Sequence, residues 1–191
     1  MKKYTVENLV EILVQNGKCK EEERGVVLYG LRMAREIIAN IITTIVIGLL
    51  FGMMLETIVF SVTFAILRSY CGGVHARNGL ECYIFSSITL VMVLLIQKFD
   101  VIVGDVASVV MLIGAAMILM FAPIGDYNKR LDTIERQVYR NKVQLILIGY
   151  ILLYLVGVFL ELEWLAISTS LAIFVVGISL LLGKIKNRMN H

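Results

Sequence analysis

Trp164-Leu-Ala-Ile-Ser-Thr-Ser-Leu-Ala-Ile-Phe-Val-Val-Gly-Ile-Ser-Leu-Leu-Leu-Gly183 is a run of 20 residues without one charged side chain. At about 1.5 Å of helical rise per residue it reaches ~30 Å, the thickness of the hydrocarbon layer of a bilayer. Inside lipid every backbone amide needs a partner from the chain itself, so such a run reads as a membrane-spanning helix. Three more runs have the same character: Ile37–Leu55, Val101–Ala122 and Val143–Leu160. Two shorter ones, Thr57–Leu67 and Tyr83–Ile96, reach only about 16 and 21 Å. They are either half-helices or helices lengthened by residues of the polar segment between them.

The composition agrees. Apolar residues make up 59% of the chain and the mean hydropathy is +0.84, against about 45–50% apolar in soluble domains. There is one proline and no Pro/Ser-rich linker. The expected fold is therefore an all-α integral membrane protein with about six hydrophobic helical segments, at least four of them full spans. The expected organisation is a single membrane domain over 1–191. It divides into interfacial or cytosolic amphipathic helices (1–36), a transmembrane bundle (37–183) and a short tail (184–191). Pro123, directly after an apolar run, is a helix stop. Gly48 and Gly52 form a GxxxG spacing of the kind that lets helices approach closely or dimerise.

Ahead of the first run, residues 5–15 repeat apolar side chains at 6, 9, 10, 13 and 14, one face of a helix. Thr5 suits its N-cap, Glu7 its first turn and Gly17 its end. This helix lies either on the membrane surface or against the rest of the protein. A second amphipathic stretch, 21–36, leads into the first apolar run. Glu7, Glu11 and Glu21-Glu22-Glu23 speak against a cleaved signal peptide, so the first spanning helix is expected to act as its own signal.

Basic residues set the expected orientation. Lys2, Lys3, Lys18, Lys20, Arg24, Arg32 and Arg35 precede the first run. Arg68 and Arg77 lie between the short runs, Lys129 to Lys142 lie before Val143, and Lys184, Lys186 and Arg188 follow the last run. If all six runs cross, these fall on one side. The other side keeps Lys98 beside Asp100, and the turn Glu161-Leu-Glu163. The positive-inside rule then assigns both termini and the polar segment to the cytosolic side of the membrane.

That polar segment is Arg68-Ser-Tyr-Cys-Gly-Gly-Val-His75-Ala-Arg-Asn-Gly-Leu-Glu-Cys82. Polar, glycine-rich backbone at membrane depth is tolerated only where it is enclosed by protein or lines a wet cavity. Here it carries a thiol and an imidazole. His75 and Cys82 are seven residues apart. One continuous helix would hold them roughly 10.5 Å apart, too far for a proton, which needs about 3 Å. Asn78-Gly79 is a turn signal between them, and a bend there folds the imidazole back towards the thiol. Cys82 then falls near the start of the following helix, where the helix dipole, His75 and Arg77 favour the thiolate. A thiolate with a base is the equipment of acyl transfer.

Other readings of these residues stand beside this one. Cys71, His75 and Cys82 offer three soft ligands to zinc, although Cys71 also suits plain packing. Arg68 at the end of an apolar run binds a substrate carboxylate, steadies transition-state charge, or reaches to the lipid headgroups. A small transporter or channel with a re-entrant polar loop is a further possibility. It requires polar residues spread through several runs, and apart from Asp105 and small hydroxyls these are bare. The three cysteines, an odd number, do not form a disulfide framework.

Arg68, Gly73, His75 and Cys82, in this order and spacing between short apolar runs, resemble the accessory gene regulator B (AgrB) family. The resemblance extends to chain length, the amphipathic N-terminus, the helical runs and the segment from Pro123 to Lys129. It implies a membrane cysteine endopeptidase of peptide quorum sensing, with Cys82 as nucleophile and His75 as base. Arg68 and Gly73 match further positions that the family needs. The implied partner is an AgrD-type propeptide with an amphipathic leader, a signal segment and an acidic tail. Membrane lipid and a second copy in a homodimer are also implied. No cofactor, metal or nucleic acid is expected.

Overall fold

The computed structural model describes residues 5–72, 79–124 and 132–189. Its elements are α1 (Val6–Gln15), a 3-10 turn (Glu21–Glu23), α2 (Arg24–Phe51), α3 (Met54–Cys71), α4 (Gly79–Lys98), α5 (Gly104–Phe121), α6 (Thr133–Phe159) and α7 (Glu163–Met189). Among the described residues there is no strand, and six helices are long and apolar enough to cross a membrane. The chain is an all-α, multi-pass membrane protein.

The two short runs are helices lengthened by the polar segment. α3 continues through Arg68 to Cys71 and α4 begins at Gly79, giving 18 and 20 residues, or about 27 and 30 Å. The amide ladder propagates through polar side chains as readily as apolar ones, so hydropathy understates helix length. The same holds for α6, which starts at Thr133 rather than at Val143.

The first apolar run needs a correction. It is not one helix over Ile37–Leu55. α2 stops at Phe51, the chain turns at Gly52, whose φ is +69°, and Leu55 already belongs to α3. A positive φ is accessible to glycine without steric penalty, and the corner is set there. Gly48 is buried where a Cβ would come within 2.9 Å of Met54 Sδ and 3.1 Å of Thr57 Oγ1. Gly48 therefore serves the α2–α3 approach and Gly52 serves the turn. They do not form one stripe on one helix.

The chain folds as two compact units, Met1–Thr43 and Thr44–His191. In the first, Thr5 takes the extended N-cap conformation without a side-chain bond, and Gly17 follows α1 with φ +66°. Val10 is buried while Leu9 and Ile12 are exposed. Arg32 donates to the Glu7 carboxylate at 2.7 Å, which holds that carboxyl below its ordinary range.

In the second unit α7 is the central helix, packed by α3, α5, α6 and α4. A Cβ on Gly114 would sit 2.6 Å from the Cα of Phe174, and one on Gly177 would sit 3.1 Å from the Gly114 carbonyl. Small residues thus let the backbones of α5 and α7 touch, as they do in membrane helix pairs generally. One apolar cluster joins Leu67, Cys71, Met111, Ile118, Leu147, Ile173 and Leu180. A second joins Phe60, Leu90, Leu94, Ala107, Ile167 and Leu171.

Candidate functional site

The site is located by which helix ends meet. Tyr70 near the end of α3 has its ring 6.5 Å from that of Tyr139 near the start of α6. Ile124, just past α5, donates its N–H to the Cys71 carbonyl at 3.0 Å, and Gly72 and Ile124 form a parallel backbone bridge. Lys184 of α7 lies over the Phe121 ring of α5 at 4.6 Å. The ends of α3, α5 and α7 and the start of α6 therefore share one end of the bundle.

α4 runs the other way. Its buried residues Leu90, Val93, Leu94 and Gln97 all lie in its second half. They pack beside Ala107 and Ile167, near the starts of α5 and α7, and Ser168 donates to Gln97 Oε1 at 2.9 Å. The first turn of α4, with Cys82, is thus at the end where α3, α5 and α7 finish. From Leu80 to Thr89 the helix has no buried residue, and Cys82 is an exposed free thiol. The helix starts four residues before Tyr83, so Cys82 stands within its first turn, next to Glu81.

Charge follows the same division. Arg68, Arg136, Arg140, Lys142 and Lys184 belong to the Cys82 end, where they outnumber Glu81, Asp132 and Glu135. The opposite end has Lys98 with Glu56, Asp100, Asp105, Glu161 and Glu163. Three of the cations lie over aromatic rings: Arg68 over Phe64 at 5.6 Å, Lys142 over Tyr70 at 5.9 Å and Lys184 over Phe121 at 4.6 Å. These pairings hold the charges near protein rather than in open water.

Of the residues singled out from the sequence, Cys82 and Arg68 lie at this one end. Arg68 is half-buried in the last turn of α3, and its Nη1 donates to the Ser179 hydroxyl of α7 at 2.9 Å. It is a group bonded within the protein, beyond simple reach to headgroups. Gly73 and His75, with Arg77 and Asn78, lie outside the described residues. Cys71 is fully buried in the apolar cluster. It packs as a small hydrophobe, which separates it from the exposed Cys82 as a partner ligand. Asp105 falls in the first turn of α5, at the far end.

Two contributors were not read from the sequence. Ser179 sits in an apolar run and carries no local signal. Gly72 shows in the sequence only as one glycine of the polar segment. In the structure it has φ +75° and ψ −152°, a region essentially reserved for glycine, and a Cβ there would strike the Ile124 carbonyl.

The family model for accessory gene regulator B matches residues 6–182. The chain belongs to the accessory gene regulator B family. An AgrB-like protein of Clostridium perfringens strain SM101 is 25% identical over 189 residues, covering 91% of this chain and 88% of its own. The accessory gene regulator protein B of Staphylococcus saprophyticus is 30% identical over 135 residues, covering 69% of this chain and 70% of its own. No solved structure matches the chain. Membership in the AgrB family ties this membrane protein to accessory gene regulator quorum sensing.

Proposed function

We propose that this AgrB-family chain is a membrane cysteine endopeptidase that removes the acidic tail of an AgrD-type propeptide and supports closure of the remaining peptide into a ring. The observation that carries the reading is Cys82. It is an exposed thiol in the first turn of α4, on the unpacked half of that helix and at the basic end of the bundle. An exposed thiol can be reached by both a substrate and a base, and the thiolate that deprotonation yields is the nucleophilic form of cysteine.

The chemistry balances with this chain's residues. The Cys82 sulfur attacks the carbonyl before the tail, and its proton passes to His75. The C–N bond breaks, the departing amine takes the proton back from His75, and a thioester remains on Cys82. The propeptide's own thiol or hydroxyl then attacks the thioester carbonyl, giving a thiolactone or lactone and restoring the Cys82 thiol. Thiol-to-thiol transfer is nearly neutral in energy, so ring closure needs no nucleotide. The uphill step is the first thioester, and removal of the tail draws it forward. In this reading His75 is the base, Arg68 and Gly73 support substrate or transition state, and the active end faces the cytosol. The working form is a homodimer.

The test is a mass spectrum of purified protein incubated with a candidate propeptide. The expected result is an adduct on Cys82 lighter than the propeptide by the mass of its tail. Cys82→Ala and His75→Ala should both abolish cleavage while leaving membrane insertion intact. Cleavage that persists in either variant removes the dyad. A transporter would instead show altered flux with no change in peptide mass.

A further inference from the structure

α4 packs on α3 and α7 through its second half alone. Its inward stripe runs through Gln97, Leu94 and Leu90, all buried. At the same helical spacing towards Cys82 the stripe continues as Ser87 and Tyr83, which are only half-buried. This is not the face that α4 turns to lipid, because the opposite face carries Ile84, Phe85 and Ile88, exposed and apolar.

Burial falls at the same level on both neighbours. On α3, Phe60 is buried in one cluster with Leu90, while Phe64 and Arg68, one and two turns on, are half-buried. On α7, Leu171 of that cluster is 2% exposed, Val175 is half-buried, and Leu182 is 52% exposed. The three helices therefore pack closely at Phe60, Leu90 and Leu171 and part towards the Cys82 end. The wedge between them has Cys82 and Arg68 at its mouth and an apolar floor. From Cys82 to Leu90 it is about 12 Å deep, the length of roughly three or four extended residues.

The lining says what fits. No residue of 60–67, 83–90 or 171–183 is charged, so a carboxylate or ammonium inside the wedge would be stranded at membrane depth. The Ser87 hydroxyl donates to the Tyr83 carbonyl at 2.9 Å, and its oxygen keeps the capacity to accept from a peptide N–H. Arg68, at the mouth, is placed to keep an acidic tail outside. We infer that the wedge between α3, the first half of α4 and α7 receives the propeptide residues just before the cleaved bond and selects neutral ones. This rests on the reading of Cys82 as the nucleophile that attacks the carbonyl before the tail.

The experiment has a labelling arm and a cleavage arm, both with the full-length protein in bilayer nanodiscs. In a Cys82→Ala background the probe is 2-sulfonatoethyl methanethiosulfonate, charged and membrane-impermeant. Ser87→Cys should react with it, and an uncut propeptide that the wild type cleaves should slow that reaction. Phe85→Cys, on the lipid face, should react slowly with or without propeptide. In the cleavage arm Ser87→Trp, which fills the wedge, should lower kcat/KM about 10- to 100-fold, with Cys82 still alkylated by iodoacetamide at the wild-type rate. Phe85→Trp should cleave as wild type. A propeptide with Asp placed two residues before the cleaved bond should lose about 100-fold, while an Asp added to the tail should be cut normally. A Ser87→Cys thiol that ignores the sulfonate reagent, or that propeptide does not protect, overturns the cleft. So does full cleavage by Ser87→Trp or of the Asp-bearing propeptide. Those results leave the nucleophile in place, whereas cleavage by Cys82→Ala overturns the nucleophile itself.

Discussion

The guanidinium of Arg68 donates to the hydroxyl of Ser179 at 2.9 Å, joining the last turn of α3 to α7 across 111 positions of sequence. A hydrogen bond from a charged donor is stronger than a neutral one. It also fixes how Arg68 is presented at the Cys82 end.

Ser179→Ala removes the acceptor while leaving the charge. It should lower stability in detergent by about 1–2 kcal/mol and slow peptide cleavage, whereas Ser179→Thr, which keeps the hydroxyl, should retain both. Thermal unfolding of the purified variants checks this. An unchanged midpoint for Ser179→Ala would mean that the bond contributes nothing. Arg68→Lys should not substitute for Arg68, since a point charge lacks the planar fork.

The Arg68–Ser179 pair marks where sequence reading reached and where it stopped. The six-helix character was legible because hydropathic length is a local property, and Arg68 and Cys82 stand out for the same reason, as a charge closing an apolar run and a thiol in a polar segment. Helix ends were less legible. The runs flanking the polar segment looked short because hydropathy falls off at Arg68, although the helix continues to Cys71. Gly52 lay inside an unbroken apolar run, and nothing in composition distinguishes a glycine at a corner from one in a helix. Ser179 and the Gly72–Ile124 bridge depend on segments far apart in sequence, and a single chain carries no signal for such pairings.

Gly114 and Gly149 separate packing from propensity. A Cβ on Gly114 would sit 2.6 Å from the Phe174 Cα and 2.7 Å from its nitrogen, while one on Gly149 would meet nothing within 4 Å. Backbone cannot swing aside as a side chain can, so Gly114→Ala forces α5 and α7 apart. It should destabilise by about 1–3 kcal/mol, and Gly149→Ala should leave the unfolding curve unchanged or slightly improved. Equal melting of the two variants would remove the close α5–α7 contact from the account.

Glu7 supplies a pH dependence confined to the first unit. Its hydrogen bond from Arg32, with added attraction to Arg32 and Arg35, holds the folded-state carboxyl below its ordinary range. A lowered carboxyl contributes stability that is present above the ordinary carboxylate range and lost as pH falls through the folded value. Amide-exchange protection in α1, the observed rate taken relative to the intrinsic rate at each pH, should therefore fall only in acid below that range, and Glu7→Gln should show the lower protection already at neutral pH. Both partners are exposed, so salt should weaken the effect as well. Protection of α1 indifferent to both pH and Glu7→Gln would show that the pair does not hold the helix.

The last prediction concerns the thiols and the direction in which the bundle faces. Cys82 is exposed, whereas Cys19 and Cys71 are buried, so one thiol of the native protein should react quickly with a membrane-impermeant maleimide. The proposed function turns the Cys82 end to the cytosol, the side on which basic residues gather under the positive-inside rule. Labelling should therefore occur in inverted vesicles and be absent from sealed right-side-out ones, and Cys82→Ala should abolish it. Fast labelling from the outer face would invert the orientation, and with it the compartment in which a propeptide must be met. Cys71→Ser provides the complementary check. Exchanging a thiol for a hydroxyl inside the apolar cluster should cost about 1–3 kcal/mol, yet cleavage should persist because the sulfur only packs. Complete loss of activity with release of zinc would instead make Cys71 a ligand and move the chemistry away from a thiol nucleophile.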